Sequence, residues 1–163
     1  MTTQVSHAGL GALSAGPLLT AFYDGSCSLC SAEMAALQEL DRDDAIGFVD
    51  CSPASFDDTP YRAEGITRAA MLRAMHVRDI LGDWHRGVDA IALLYATAGA
   101  PRLARLWAYP LTRPVAQWLY PIVVRHRHAL SNLGLHFVSP RVLRLFASRR
   151  PACDHAACGT RAA

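Results

Sequence analysis

The stretch Phe22-Tyr23-Asp24-Gly25-Ser26-Cys27-Ser28-Leu29-Cys30, with the apolar residues just before it, decides the fold. Residues 18–23, LLTAFY, form a short apolar and aromatic run that stops at Asp24-Gly25, the pattern of a buried strand running into a turn. From Cys27 the period changes. Cys30, Met34, Leu37 and Leu40 recur at helical spacing, while Glu33, Gln38, Glu39 and Asp41 fill the other face. A C-x-x-C pair therefore stands where a strand hands over to a helix, with Gly25 expected to let the backbone turn tightly.

Working outward, residues 46–51, IGFVDC, predict a second strand, and residues 52–61, rich in Pro, Ser and Asp, a loop. Residues 66–73 predict a short helix with Thr67 as its N-cap. Residues 75–79 and 84–87 predict two strands of a hairpin turning at Gly82-Asp83, and Asp89 is expected to cap a helix running to about residue 97. The order β-α-β-α-β-β-α, with a parallel pair followed by an antiparallel hairpin, is that of an α/β thioredoxin-like core: a four-stranded mixed sheet with flanking helices. Beyond it, residues 102–109, 115–128 and 140–149 predict three helices, the first two separated by Pro110 and Pro114, the third capped by Ser139. The expected organisation is an N-terminal arm over residues 1–17, the core over 18–100, an Arg-rich helical extension over 101–150 and a polar tail over 151–163.

The position of the cysteine pair carries the chemistry. The first turn of a helix presents unpaired N–H groups and a partial positive charge, which stabilise a thiolate. Cys27, expected at the exposed end, is the attacking thiolate; Cys30, one turn deeper, resolves the mixed disulfide. Asp24 has two readings: an acceptor for the Cys30 proton, or a turn residue bonded to backbone N–H groups, of which the turn is preferred. Cys51 reads chiefly as a small buried hydrophobe, although the end of a strand parallel to the first lies on the same side as the pair.

Composition narrows the rest. The chain has 163 residues, 52% hydrophobic and 18% charged, which suits one folded domain and excludes a disordered chain. Residues 90–124 come closest to an apolar span, but Arg102, Arg105 and Arg113 interrupt them, so no spanning helix is expected. The N-terminus has neither a basic start nor a compact apolar block, so a cytoplasmic protein is expected. Five cysteines are too few and too odd for a disulfide scaffold. All sixteen basic residues are Arg. Residues 1–101 hold six of them against thirteen Asp and Glu, a balance of −7; residues 102–163 hold ten against Asp154 alone, a balance of +9. Such a chain is self-complementary or meets an anionic partner with its C-terminal part, and packing of the basic face beside the acidic half is preferred. Trp107, Tyr109, Trp118 and Tyr120 are expected to pack between helices, and His126, His128 and His136 to be surface or capping residues; no nucleic-acid binding is expected. The basic amphipathic helix over residues 140–149 has membrane-surface contact as its less favoured reading.

The segment Tyr23 to Cys30 resembles the motif of the DCC thiol-disulfide oxidoreductase family, named for the residues that stand here at Asp24, Cys27 and Cys30. Residues 75–95, with Gly87-Val88-Asp89-Ala90, and residues 120–127, YPIVVRHR, are similar to that family's hairpin and closing segments. The resemblance implies a thioredoxin-like fold and disulfide exchange with a thiol or disulfide protein or a small thiol, with no cofactor. Thioredoxins carry a cis-proline before the third strand; here residues 71–74, MLRA, hold none, which favours a narrow partner or a small thiol over broad protein-disulfide reduction. Two other readings stand beside this one. One is a non-catalytic adaptor that docks an acidic partner or membrane through its Arg-rich helices. The other is a zinc module in which Cys27 and Cys30 join Cys153 and Cys158, with His155 between the latter. Cys153 and Cys158 have a further reading as a second, electron-shuttling pair on the tail.

Overall fold

The computed structural model describes residues 16–134, 141–143 and 145. Most of the expected N-terminal arm, His136, most of the helix expected over 140–149, and the tail with Cys153, His155 and Cys158 lie outside the described residues. The elements run β1 (Leu19–Tyr23), α1 (Ser28–Leu40), β2 (Ile46–Asp50), α2 (Thr59–Arg62), α3 (Arg68–Arg73), β3 (His76–Asp79), β4 (Trp84–Arg86), α4 (Val88–Thr97), α5 (Pro101–Ala108) and α6 (Arg113–Asn132). The four strands form one mixed sheet in the order β2-β1-β3-β4. β1 is parallel to β2, with Tyr23 opposite Asp50, and antiparallel to β3, with Phe22 opposite His76. This is an α/β thioredoxin-like fold.

The two-residue period of β1 sends its side chains into two cores. Leu19 and Ala21, with Val77, pack against Met34 and Leu37 of α1 and Leu94 of α4. Leu103 and Ala104 of α5 and the buried Leu143 join that cluster. Phe22 points the other way, into a cluster with Cys51, Met71 and the half-buried Trp84 and Tyr61. Phe22 and Tyr61 meet edge-on at 5.1 Å. Helices thus cover both faces, and β1 is buried because it is central.

Local expectations were met unevenly. Thr67 caps α3, its hydroxyl accepting the Ala70 N–H at 3.2 Å. The expected loop over 52–61 contains the single turn α2, which Pro60 enters at the first-turn position that tolerates proline. Asp89 does not cap α4. The cap position is Gly87, at φ +62° and ψ −126°, and Asp89 in the first turn instead binds Arg113. Pro114 does not break a helix; it lies in the first turn of α6, and Pro110 alone stands between α5 and α6. The aromatic residues of the C-terminal part separate. Trp107 packs on Tyr95 and Tyr120 on Gly87, but Trp118 is 70% exposed and Tyr109, in extended conformation after α5, is 54% exposed. Among the described residues no helix is long and apolar enough to cross a membrane.

The topology gathers three chain segments at one edge of the sheet. The C-terminal ends of the parallel β1 and β2 and the N-terminal end of the antiparallel β3 all point there. This edge holds the turn 24–27, Asp50 to Ser52, and Ala74-Met75, and α6 lies over it.

Gly87 secures the junction between hairpin, α4 and α6. Its conformation is one that side-chain-bearing residues avoid, and a Cβ there would stand 3.3 Å from the Tyr120 ring. Gly87→Ala should lower unfolding free energy by about 1–3 kcal/mol. Denaturant unfolding with an unchanged slope would register it, and an unchanged midpoint would refute the strain.

Candidate active site

After Tyr23 the chain leaves the sheet through Asp24-Gly25-Ser26 and enters α1 at Cys27. The Asp24 carboxylate shapes the turn: Oδ1 accepts the Ser26 N–H at 3.0 Å and the Ser26 hydroxyl at 2.6 Å. Gly25 donates its N–H to Asp50 Oδ1 at 2.8 Å, and a Cβ at Gly25 would fall 2.1 Å from Asp50 Oδ2. Glycine is needed here for the close approach of this carboxylate from β2; its φ is not positive, so the expected role in turn conformation is replaced by one in packing. Burial opposes the charge of Asp50, but hydrogen bonds from Ser52 and Gly25 outweigh it and hold its carboxyl below the ordinary carboxylate range.

Cys27 is the N-cap of α1, in extended conformation, and its Sγ accepts the Cys30 N–H at 3.4 Å. Both thiols are free. Their exposure is the reverse of expectation: Cys27 is fully buried and Cys30 half-buried. The cap position turns the Cys27 sulfur over the first turn of the helix, and α6 packs on α1 and reaches the preceding turn through Arg127 and Asp24. Burial, the hydrogen bond with Cys27 and the charge of Cys27 push the Cys30 thiol far above its ordinary value, with Arg127 pulling the other way and Asp24 adding to the rise. Burial is the largest of these causes, and Cys27 adds to it.

The cover is fastened at two points. Arg127 Nη2 bonds Asp24 Oδ2 across 103 residues of sequence, with side-chain exposures of only 15% and 6%. His128 Nε2 stands 3.9 Å from the same oxygen. Tyr120 accepts the Met75 N–H at 2.8 Å through its hydroxyl oxygen, at the start of β3. Arg127 Nε is buried with no hydrogen-bond partner among the described residues.

The structure therefore brings Asp24, Cys27 and Cys30 together and adds Arg127, Tyr120, His128 and Asp50, which sequence reasoning assigned to no site. A signal existed: Tyr120, Val124, Arg127 and His128 recur at helical spacing on one face of α6. Cys51 packs in the second core, its Sγ 3.6 Å from Met71 Sδ. Burial and the charge of Asp50 push its thiol up to about 12. Cys153 and Cys158 lie outside the described residues, and among the described residues no group of three or more His, Cys, Asp or Glu is placed to hold a metal ion.

The sequence model of the DCC1-like thiol-disulfide oxidoreductase family matches residues 21–133 of the chain. No curated protein and no solved structure matches it.

Two outcomes test this geometry. Removing Arg127 leaves a buried carboxylate without its cation, so Arg127→Met should cost roughly 3 kcal/mol of stability. It should also speed modification of Cys27 by a neutral thiol reagent; an unchanged Cys27 rate would show that α6 does not cover it. In Cys27→Ala, burial, the largest cause of the raised Cys30 thiol, remains. Alkylation of Cys30 should therefore stay slow from pH 7 to pH 9 and rise only above that window, where a solvent-exposed thiol would rise near pH 8.5.

Proposed function

From the chain's membership of the DCC1-like thiol-disulfide oxidoreductase family, we propose that it exchanges disulfides through Cys27 as attacking thiolate and Cys30 as resolving thiol. One observation carries the reading: the Cys27 sulfur occupies the cap of α1 and accepts an N–H from its first turn. That N–H and the positive helix end favour negative charge on this sulfur over any other in the pair. The raised Cys30 thiol supports the division of labour, since a resolving thiol keeps its proton until the mixed disulfide has formed.

In the forward half-reaction the Cys27 thiolate attacks a substrate disulfide, forming a Cys27 mixed disulfide and expelling one substrate thiolate. Formation of that bond removes the charge of Cys27, which adds to burial in raising the Cys30 thiol. Cys30 then loses its proton and attacks Cys27 Sγ, closing the intramolecular disulfide and releasing the second substrate thiol. Two electrons pass from the dithiol to the substrate. Asp24, an electrostatic neighbour of Cys30, takes that proton in this scheme while its other bonds hold the turn. Because Cys27 is buried, the exchange requires the α6 cover to part at Arg127 and Asp24. We also propose a cytoplasmic setting, where a closely spaced cysteine pair is more often redox-active than structural.

Iodoacetamide at neutral pH should label Cys27 about tenfold faster than Cys30, read by peptide mass spectrometry. Faster labelling of Cys30 would reverse the roles. Cys30→Ser should accumulate a mixed disulfide on Cys27. A redox titration that finds no reversible Cys27–Cys30 disulfide would instead leave the non-catalytic adaptor reading in place.

A further inference from the structure

Beside the cysteine pair, α3, the hairpin's exit into α4 and one face of α6 enclose an open groove of about 730 Å³. Its walls carry Arg73, Arg86, Arg125, Arg127 and His128. Among the described residues lining it, Asp89 is the sole carboxylate, and that carboxylate is already held by both oxygens to Arg113, at 2.8 and 3.0 Å. Arg73, Arg86 and Arg125 are exposed, and the groove therefore holds an excess of cationic charge. Arg127 joins groove to site: it lines the one, bonds Asp24 in the other, and keeps a buried Nε with no acceptor among the described residues. Tyr120 lines the same groove and, like Arg127, lies within electrostatic reach of Cys30.

The geometry points to this groove as the seat of a small disulfide bearing carboxylates, held by Arg86 and Arg125 with its sulfur end toward Cys27 and Cys30. The assignment rests on the dithiol reading above and names its substrate class. Size agrees, since 300–1,000 Å³ is the range of small-molecule sites. Charge agrees, since carboxylates are what a cluster of guanidinium groups recognises. The start of β3 agrees as well. β3 is paired on both sides, and the Met75 N–H just before it is bonded to Tyr120, so no free strand edge is offered there. The reaction is the half-reaction already given, with the small disulfide as oxidant: its S–S bond breaks, the Cys27–Cys30 bond forms, and two molecules of small thiol leave with the two protons.

The test uses the full-length reduced protein with three disulfides: glutathione disulfide (anionic), cystamine (cationic) and hydroxyethyl disulfide (neutral). Each oxidation rate is divided by that of dithiothreitol with the same disulfide, which removes intrinsic reactivity. Glutathione disulfide should lead the neutral compound by about tenfold at low salt, cystamine should trail it, and the differences should shrink in 0.5 M salt. The variant Arg86→Ala with Arg125→Ala, both surface changes, should lose about tenfold with glutathione disulfide and nothing with hydroxyethyl disulfide. S-Methylglutathione, which cannot exchange, should bind the wild type and not the double variant in calorimetry. Normalised rates that ignore charge, or a double variant slowed equally with all three, would overturn the proposal. So would faster reaction with a cystine-bridged acidic peptide than with glutathione disulfide. If no disulfide oxidises the pair, the dithiol reading fails; S-methylglutathione binding that depends on the two arginines would then retain the groove as an anion site, and its absence would remove both.

Discussion

The Asp24 carboxylate is the contact on which the site depends. It lies almost wholly out of solvent, and both of its oxygens are engaged. One oxygen holds the Ser26 N–H and hydroxyl and so sets the turn that delivers Cys27 to the head of α1. The other accepts Arg127 and so ties α6 over that turn. A carboxylate this buried is sustained only when charge and hydrogen bonds are both answered, so the position of α6 and the shape of the turn are one condition.

That condition resolves the charge asymmetry of the chain in part. The acidic N-terminal portion and the basic C-terminal portion meet through Asp24 with Arg127 and Asp89 with Arg113. The first pair is buried and organises the site. The second is exposed on both sides, contributes little to stability, and serves mainly to neutralise the carboxylate of the groove. Arg86 and Arg125 are exposed in the same depression, so the basic part both packs against the acidic part and leaves arginines at the surface.

Burial changes how the cysteine pair works. A thiolate at an exposed helix end reacts with whatever disulfide reaches it. Here Cys27 is fully buried, and burial is the largest cause that raises the Cys30 thiol. Tyr120 accepts the Met75 N–H just before β3, which is itself paired on both sides. In the proposed exchange, the raised Cys30 thiol keeps its proton until the mixed disulfide has formed.

The sequence by itself determined the strand at 19–23, the helix from 28, the cysteine pair between them and the order of the remaining core elements. These rest on short-range physics: the alternation of apolar residues in a strand, the 3.6-residue period of a helix, and the residues that turns accept. The Asp24-Gly25-Ser26 turn was legible in the same way, and the downstream Tyr120 to Arg127 segment was visible as a resemblance without a role. Only the tertiary structure decided that Cys27 is buried, that Gly25 is small to admit Asp50, that Gly87 rather than Asp89 begins α4, and that Trp118 faces out while Tyr120 faces in. Each of these depends on a partner 25 or more residues away or on which side of a helix meets the sheet. Spacing along a chain places residues on a face, but which face is covered depends on contacts between segments that only the folded chain brings together.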